Sequence, residues 1–245
     1  MTKLTYLEDF DVESCKAVIV SVTKGDERHD IVLDATCFYP RGGGQDWDTG
    51  IIYADNNEFE VNGVRLDENG DVHHFGLFKK GEFVVGDQVE CKVDHERRNV
   101  NTRLHSAGHV IDMAIDAVGL DWVATKGQHY THLSAIEYQG SFESEQSEEL
   151  KQKIEQKANE LVSEGLVNAI KFMPVEEMSQ ICRHVPDNIP SNKPARVVVY
   201  GDSFGVPCGG THVSNLGEVG KINIPKIKSK KGVIRVNYTV EGINS

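Results

Sequence analysis

The sequence predicts an α+β protein, with a small N-terminal β-barrel over residues 1–93 and a second domain over residues 94–245 that combines an antiparallel sheet with two main helices. Two observations predict this class. Roughly the first ninety residues form short stretches rich in β-branched or aromatic residues, joined by turns. This pattern, with few helix signals, is typical of a small barrel. Two amphipathic helical patterns follow, separated from further runs of strand-forming residues.

The predicted barrel strands cover residues 17–23, 29–38, 50–54, 58–64, 72–75 and 88–94. Period-two stretches support them, such as Phe59 with Val61, because alternate side chains of a strand face the same side. Asn62-Gly63 and Asn69-Gly70 are hairpin signals, since a type I′ turn needs positive φ at both central residues. We therefore expect the chain to reverse at both dipeptides.

Two helices and five more strands are predicted in the second domain. The first helix runs from Asp94 or His95 to Val118, where apolar or small residues recur at spacings of four and three. The second runs from about Ser147 to Glu164 and stops at Gly165. Strands are predicted over residues 132–138, 167–172, 196–200, 221–227 and 233–240, and residues 182–194, with three prolines, as a long surface loop.

Composition and charge limit the function classes. The chain has 245 residues, 39% of them hydrophobic, and a formal net charge of −12 at pH 7. No stretch approaches the roughly 20 apolar residues of a membrane helix, and the N-terminus does not resemble a signal peptide. Five cysteines without CxxC spacing argue for a reducing compartment, so we expect a cytoplasmic protein. The total charge, taken alone, argues against a nucleic-acid partner.

Two pairs of side chains predict a metal site. His105 and His109 are four residues apart on the first helix, so both imidazoles lie on one helix face. Cys208 and His212 belong to the string Cys-Gly-Gly-Thr-His, whose glycines let the thiolate and the imidazole converge. Each pair alone has a simpler explanation, as surface histidines or as a buried cysteine in a glycine turn. Together they form a His₃Cys set, the usual construction of a zinc site.

These motifs resemble those of the AlaX family of free-standing alanyl-tRNA editing proteins, and the same motifs occur in the editing region of alanyl-tRNA synthetase. The resemblance covers roughly residues 33–242. It includes a glycine-rich segment over residues 38–50, which departs from the family pattern at Arg41 and Gly42. With this N-terminal segment the chain resembles the medium-length AlaX type. It implies an enzyme acting in trans that hydrolyses Ser-tRNA(Ala), in some members also Gly-tRNA(Ala), and spares Ala-tRNA(Ala). It also implies that the zinc ligands and catalytic residues are His105, His109, Cys208 and His212.

Selection of serine over alanine requires a polar pocket residue, because a site that hydrogen-bonds the hydroxyl can discriminate by roughly 10⁴-fold or more. The segment after the first helix resembles the family segment in which a threonine faces the amino acid. Thr125 is therefore the first candidate and Gln128 the second. The resemblance further implies that Gly43, Gly44 and Gln45 lie beside the editing site and contribute to substrate recognition; the alternative is an ordinary β-turn.

A basic surface is predicted despite the negative total, because the charges are segregated along the chain. Residues 221–235 contain six Lys or Arg and no acidic residue, whereas residues 143–164 contain seven Glu. We expect tRNA to contact two arginines at the start of the first helix and four lysines near the C-terminus: Arg97, Arg98, Lys226, Lys228, Lys230 and Lys231. The alternative for the lysines is a solvated hairpin tip.

Four protein ligands leave the role of the zinc open, since structural sites are closed by four ligands whereas catalytic sites keep three and a water. One ligand could be displaced, the metal could become five-coordinate, or it could anchor the substrate amine while another group activates water. Two other functions also stay open. The chain could be a tRNA-binding module with a purely structural zinc, or a zinc hydrolase of another aminoacyl-tRNA or ester.

Overall fold

The computed structural model describes residues 1–187, 189, 191, 194–202 and 204–243. It divides into two compact units, Met1–Asn99 and Val100–Ser245. Two long α-helices accompany mostly antiparallel sheets in the described residues, so the α+β prediction is confirmed. None of the helices in this described part of the chain has the length and apolarity to span a membrane.

The first unit is built on a closed barrel of six strands. The strands of this unit are β1 (Lys3–Leu4), β2 (Ser14–Thr23), β3 (His29–Leu33), β4 (Ala35–Thr36), β5 (Gly50–Ala54), β6 (Asn57–Leu66), β7 (Val72–Lys80) and β8 (Gln88–Val93). The barrel order is β2-β3-β7-β6-β5-β8, with antiparallel pairing throughout, and β1 pairs with β4 outside it. Alternate side chains of these strands, such as Ile19, Ile52 and Phe59, form one buried core. The predicted N-terminal barrel is thereby confirmed.

The two predicted hairpin turns have different outcomes. Asn69-Gly70 does form the turn between β6 and β7, where Gly70 has a φ of +81°. The prediction for Asn62-Gly63 was wrong, because both residues lie inside β6, where the register with β7 shifts between Val61 and Gly63. A bulge takes up an extra residue without reversing the chain, and β6 continues to pair beyond it.

The second unit contains nearly all of the helical structure. Its elements are α1 (His95–Ala117), which begins in the first unit, β9 (Val123–Tyr130), β10 (Leu133–Gln139), α2 (Ser147–Glu164), β11 (Asn168–Met173), β12 (Ala195–Tyr200), β13 (Phe204–Pro207), β14 (Ile222–Lys230) and β15 (Val233–Val240). They form a four-stranded antiparallel sheet, β14-β15-β10-β9, and a three-stranded one, β11-β12-β13. Both predicted helices are confirmed, and Gly165 ends α2 in the left-handed conformation, with a φ of +61°.

Helix α1 packs on one face of the four-stranded sheet. Its stripe of Leu104, Ala107, Ile111 and Ala114 is buried. Strand β15 contacts the helix through Tyr238, whose hydroxyl donates to the Leu104 carbonyl. Strand β10 contacts it through Tyr138, whose hydroxyl donates to the Asp112 carboxylate. This packing places the polar side chains of α1 against the inner face of the sheet.

The predicted loop over residues 182–194 falls partly outside the described residues, which omit Asn188, Pro190, Asn192 and Lys193. In its described part, pairing is limited to a single bridge between Cys182 and Gly205. All five cysteines of the chain are free thiols.

Candidate metal centre

The two predicted chelating pairs converge on one point in the second unit. His105 and His109 lie one turn apart on α1, and Cys208 and His212 lie in the loop after β13. The four candidate ligand atoms all lie within 4.8 Å of one another. The Sγ of Cys208 is 3.5 Å from Nε2 of His105 and 3.2 Å from Nε2 of His212. All three histidines are buried, and Cys208 is half-buried.

Hydrogen bonds from β12 and α1 hold the loop that carries Cys208 and His212. The buried Arg196 of β12 donates through one guanidinium nitrogen to the carbonyls of Cys208 and Gly210, at 2.9 and 2.8 Å. The hydroxyls of Thr102 and Thr211 bond at 2.7 Å, which joins the loop to α1. These hydrogen bonds therefore hold the loop in a conformation that places Cys208 and His212 next to α1.

The residues fit a metal ion. Both ring nitrogens of His109 are buried and have no hydrogen-bond partner among the described residues. An unpaired buried polar atom costs about 1–3 kcal/mol, and binding to a cation would remove that cost. Tetrahedral zinc, with bonds of about 2.3 Å to sulfur and 2.0 Å to nitrogen, places such ligands about 3.5 Å apart. The donor types and the two distances from Cys208 Sγ fit a metal ion such as zinc.

Burial sets the charge state of the candidate ligands. Removal from water, together with the charge of the nearby Arg196 guanidinium, lowers the pKa of His109 to about 4. Burial likewise lowers the pKa of His105 and His212 well below the ordinary value. It raises the pKa of the Cys208 thiol, an effect that the Gly210 N–H and the Arg196 charge oppose. The imidazoles are therefore neutral and can offer a lone pair to a cation.

Polar groups around the candidate ligands orient the rings. Nε2 of His212 faces Cys208, while its Nδ1 lies 3.1 Å from the Tyr200 hydroxyl. A metal bound at Nε2 would leave the proton on Nδ1, where the Tyr200 hydroxyl can accept it. Nδ1 of His109 lies 3.9 Å from a carboxylate oxygen of Asp112. Burial raises the pKa of Asp112 to about 7, opposed by the hydrogen bond from a tyrosine hydroxyl.

A fourth histidine beside this site was not singled out from the sequence. His129 of β9 is only 5% exposed, and its ring stacks on that of His105 with centroids 4.4 Å apart. Burial lowers the pKa of His129 to about 3. The residues predicted from this segment were Thr125 and Gln128. The available signal was a histidine in the segment that follows the HxxxH helix.

The two predicted pocket residues lie in β9 near His129. Thr125 is exposed, and its hydroxyl donates to the Glu137 carbonyl at 3.0 Å. Gln128 accepts a hydrogen bond from Arg235 at 3.0 Å. Because neighbouring side chains of a strand point to opposite faces, Gln128 and His129 lie on opposite sides of the sheet. Substrate contact by Thr125 or Gln128 stays a prediction.

The glycine-rich run forms a tight turn in the first unit. Gly43 and Gly44 have φ values of +52° and +77°, a conformation that favours glycine. Gly42 and Gln45 close the turn with two backbone hydrogen bonds, at 2.8 and 3.2 Å. The Gln45 side chain is fully buried. Recognition of a substrate by this run stays a prediction.

The prediction that Arg98 contacts tRNA was wrong. This residue is only 4% exposed, and its guanidinium is paired with the buried carboxylate of Asp48. The remaining donors bond to the carbonyls of Val12, at 2.8 Å, and Cys37, at 2.7 Å. Every nitrogen of the guanidinium is thus used inside the first unit, which leaves none for a phosphate. Arg97, its neighbour, is half-buried and lies over the Trp47 ring.

The four predicted lysines are exposed. Lys226, Lys228 and Lys230 alternate along β14 and therefore share one face of the sheet. A side-chain hydrogen bond with Lys226, together with the charge of that lysine, lowers the pKa of Lys228. Lys231 lies in the turn between β14 and β15, with a φ of +54°. Arg235 of β15 is paired in register with Lys228, but its guanidinium forms an ion pair with Glu137 at 2.6 Å.

Comparison with known proteins relates the chain to aminoacyl-tRNA enzymes. The family profile described as "tRNA synthetases class II (A)" matches residues 10–97, and that of the "Threonyl and Alanyl tRNA synthetase second additional domain" matches residues 195–237. The chain is 31% identical over 246 residues to the alanyl-tRNA editing protein AlaX-M of Saccharolobus solfataricus, covering 98% of this chain and 100% of that protein.

Two longer relatives match over nearly the same region. Identity to the alanyl-tRNA editing protein AlaX-L of Pyrococcus horikoshii is 28% over 245 residues, covering 98% of this chain and 58% of that protein. Identity to the alanine–tRNA ligase of Clostridioides difficile is 34% over 226 residues, covering 92% of this chain and 25% of the ligase. The chain thus spans about a quarter of that ligase and the full length of the AlaX-M relative.

Proposed function

Because this chain belongs to the AlaX family of alanyl-tRNA editing proteins, we propose that it hydrolyses the ester bond of mischarged tRNA(Ala). The leading substrate is Ser-tRNA(Ala), with Gly-tRNA(Ala) second. His105, His109, Cys208 and His212 would hold the zinc ion that assists this hydrolysis. The observation that carries the proposal is the convergence of these four ligand atoms within 4.8 Å, in a chain that matches an editing protein along its whole length.

The chain's own residues prepare this site for ester hydrolysis, in which water adds to the carbonyl and the ribose hydroxyl leaves. When bound, zinc supplies a Lewis acid that polarises a carbonyl and lowers the pKa of water. Burial keeps the imidazoles neutral, and the Tyr200 hydroxyl lies 3.1 Å from Nδ1 of His212, where it can accept the ring proton when Nε2 binds the metal. The Gly210 N–H, 3.4 Å from Cys208 Sγ, and the Arg196 guanidinium both stabilise the thiolate form of Cys208.

We test the proposal by incubating the purified chain with Ser-, Gly- and Ala-tRNA(Ala) and following ester loss, with and without a chelator. We expect rapid loss of the serine ester, slower loss of the glycine ester and none of the alanine ester. Chelation should stop the reaction, and added zinc should restore it. Turnover that survives complete metal removal would contradict the zinc mechanism.

A second candidate function is a tRNA-binding module with a structural zinc. The observation in its favour is the number of protein ligands, because four side chains can close a tetrahedral site. The same incubation separates the two functions. A zinc-loaded chain that binds tRNA(Ala) but releases no amino acid from any of the three substrates supports the binding module and excludes the hydrolase.

We expect Thr125→Val to reduce the preference for Ser-tRNA(Ala) over Ala-tRNA(Ala) by about 10-fold or more, the scale of one lost hydrogen bond to a substrate. The Thr125 hydroxyl donates to Glu137, so its oxygen lone pairs are available to accept from the substrate hydroxyl. The measurement is kcat/KM for both substrates. The matched control is Thr131→Val, in the exposed turn between β9 and β10. Unchanged selectivity in Thr125→Val would place the selective residue elsewhere.

Replacing Lys226, Lys228 and Lys230 together by glutamine should weaken tRNA binding and flatten its salt dependence. Each lost phosphate contact lowers the slope of log affinity against log salt by about 0.7 to 0.9. The control replaces three lysines of α2 that already face glutamates, namely Lys151, Lys153 and Lys157. A slope equal to that of the wild type, or an equal change in the control, would exclude the β14 lysines as the tRNA surface.

A further inference from the structure

His129 contacts the candidate metal site without belonging to the four-residue ligand group. It reaches the site from β9, whereas the ligands come from α1 and from the loop after β13. Its ring lies against that of His105, with centroids 4.4 Å apart and planes inclined by 17°. A flat ring stacked on another limits rotation of the second ring about its side-chain bonds. His129 is therefore placed to restrict the orientation of His105.

Hydrogen bonds hold His129 itself in one orientation. The Tyr238 hydroxyl donates to the Leu104 carbonyl at 2.9 Å, so its oxygen is left to accept from Nδ1 of His129, at 2.5 Å. Nδ1 therefore carries the proton. Leu104 directly precedes His105 in α1. The contacts thus form a closed path that leaves α1 at Leu104, passes through β15 and β9, and returns at His105.

Two glycines provide the space for the His129 ring. A Cβ atom at Gly108 would lie 2.5 Å from Cε1 of His129, and one at Gly127 would lie 2.4 Å from its Nε2. Gly108 stands inside α1, where glycine costs about 1 kcal/mol relative to alanine. Neither glycine has a positive φ, so the backbone does not require them. Room for the imidazole is the physical reason for glycine at both positions.

We infer that His129 is a positioning residue of the metal centre, which holds the His105 imidazole in the orientation that binds the ion. The inference rests on the proposed function only in that the four-residue group binds zinc. The path through Tyr238 makes the orientation of His105 depend on three elements, α1, β9 and β15. Residues that orient metal ligands typically contribute about 10- to 100-fold to metal affinity, and we expect an effect of that size.

The test measures the Zn²⁺ affinity of the full chain by competition with a chromophoric chelator. We expect His129→Ala to weaken zinc binding by about 10-fold or more. His129→Phe keeps a flat ring but loses the bond to Tyr238, so its affinity should be intermediate. Tyr238→Phe removes only the hydroxyl and should weaken binding in the same direction. The control is His132→Ala, in the turn of the same hairpin, where the ring stacks on Tyr130 at 5.7 Å.

Two further readouts separate positioning from a general effect on folding. The absorption spectrum of the Co²⁺-loaded chain should change in His129→Ala and stay unchanged in His132→Ala, because it reports the geometry of the ligands. Unfolding with chelator present measures the stability of the metal-free chain. Lower metal-free stability together with wild-type zinc affinity and a wild-type Co²⁺ spectrum overturns the inference.

Failure of the inference and failure of the proposed function give different results. A wild-type chain that binds zinc but does not deacylate Ser-tRNA(Ala) contradicts the enzyme, while weakened binding in His129→Ala still supports the positioning role. Equal zinc affinity in wild type and His129→Ala overturns the inference alone. A wild-type chain that binds no zinc overturns both the inference and the zinc mechanism.

Discussion

Replacing Cys208 by alanine is expected to lower zinc affinity by more than about 100-fold and the deacylation rate of Ser-tRNA(Ala) by at least a similar factor. Even residues that only orient ligands are worth about 10- to 100-fold, and a ligand contributes more. Cys208 Sγ lies 3.5 Å from Nε2 of His105 and 3.2 Å from Nε2 of His212. Its loss therefore leaves only the three histidines to hold the metal ion. Zinc content and single-turnover deacylation measure the effect.

The matched control is Cys182→Ala. Cys182 is also a free thiol of the second unit, but it is buried in a separate apolar cluster with Met178 and Val199. This substitution should change stability and leave zinc content at the wild-type level. Circular dichroism of Cys208→Ala checks that the fold persists. Wild-type activity in Cys208→Ala would show that this thiol does not take part in the reaction.

Replacing Arg98 by methionine should lower the free energy of unfolding by about 3–5 kcal/mol, the usual cost of removing one partner of a buried ion pair. The substitution leaves the fully buried Asp48 carboxylate without its cation and the carbonyls of Val12 and Cys37 without their donors. The midpoint of urea unfolding, followed through Trp47 fluorescence in a Trp122→Phe background, measures the change in the first unit.

Arg97→Met is the control for this substitution. Arg97 is half-buried, and the closest approach of its guanidinium to the Asp46 carboxylate is 4.0 Å. Pairs of this kind contribute at most about 1 kcal/mol, so stability should change little. The two variants also separate structure from tRNA binding. If Arg98→Met kept wild-type stability but bound tRNA more weakly, Arg98 would be a surface contact as the sequence had predicted.

Local patterns predicted most of the fold. The apolar spacing of α1 and the Gly165 stop of α2 depend on residues within a few turns, and both helices were predicted within about one residue of their ends. Strand β9 was missed because Val-Ala-Thr-Lys-Gly-Gln-His-Tyr lacks an alternating apolar pattern. Its strand conformation depends on pairing with β10. Pairing with β7 likewise overrides the turn preference of Asn62-Gly63.

Part of the candidate site could also be predicted from local patterns. The four candidate ligands belong to two short motifs, each with its own chelating spacing, so the sequence alone predicted them as metal-binding residues. The role of His129 was not, because its contacts with Tyr238 join residues 109 positions apart. The prediction that Arg98 contacts tRNA also failed because it relied on local sequence. A run of arginines at the start of α1 carries no information on which guanidinium faces a buried carboxylate.

The sequence by itself predicted the His and Cys residues of the candidate metal centre, and it determined the N-terminal barrel and the segregation of basic from acidic segments, because these follow from residue type and short-range spacing. Only the tertiary structure decided that Arg98 is an internal ion-pair partner, that Gln128 and His129 face opposite sides of a sheet, and that Gly108 provides space for an imidazole. Burial and long-range hydrogen bonds arise from residues far apart in the chain. Their effect on a side chain therefore exists only once the elements have packed.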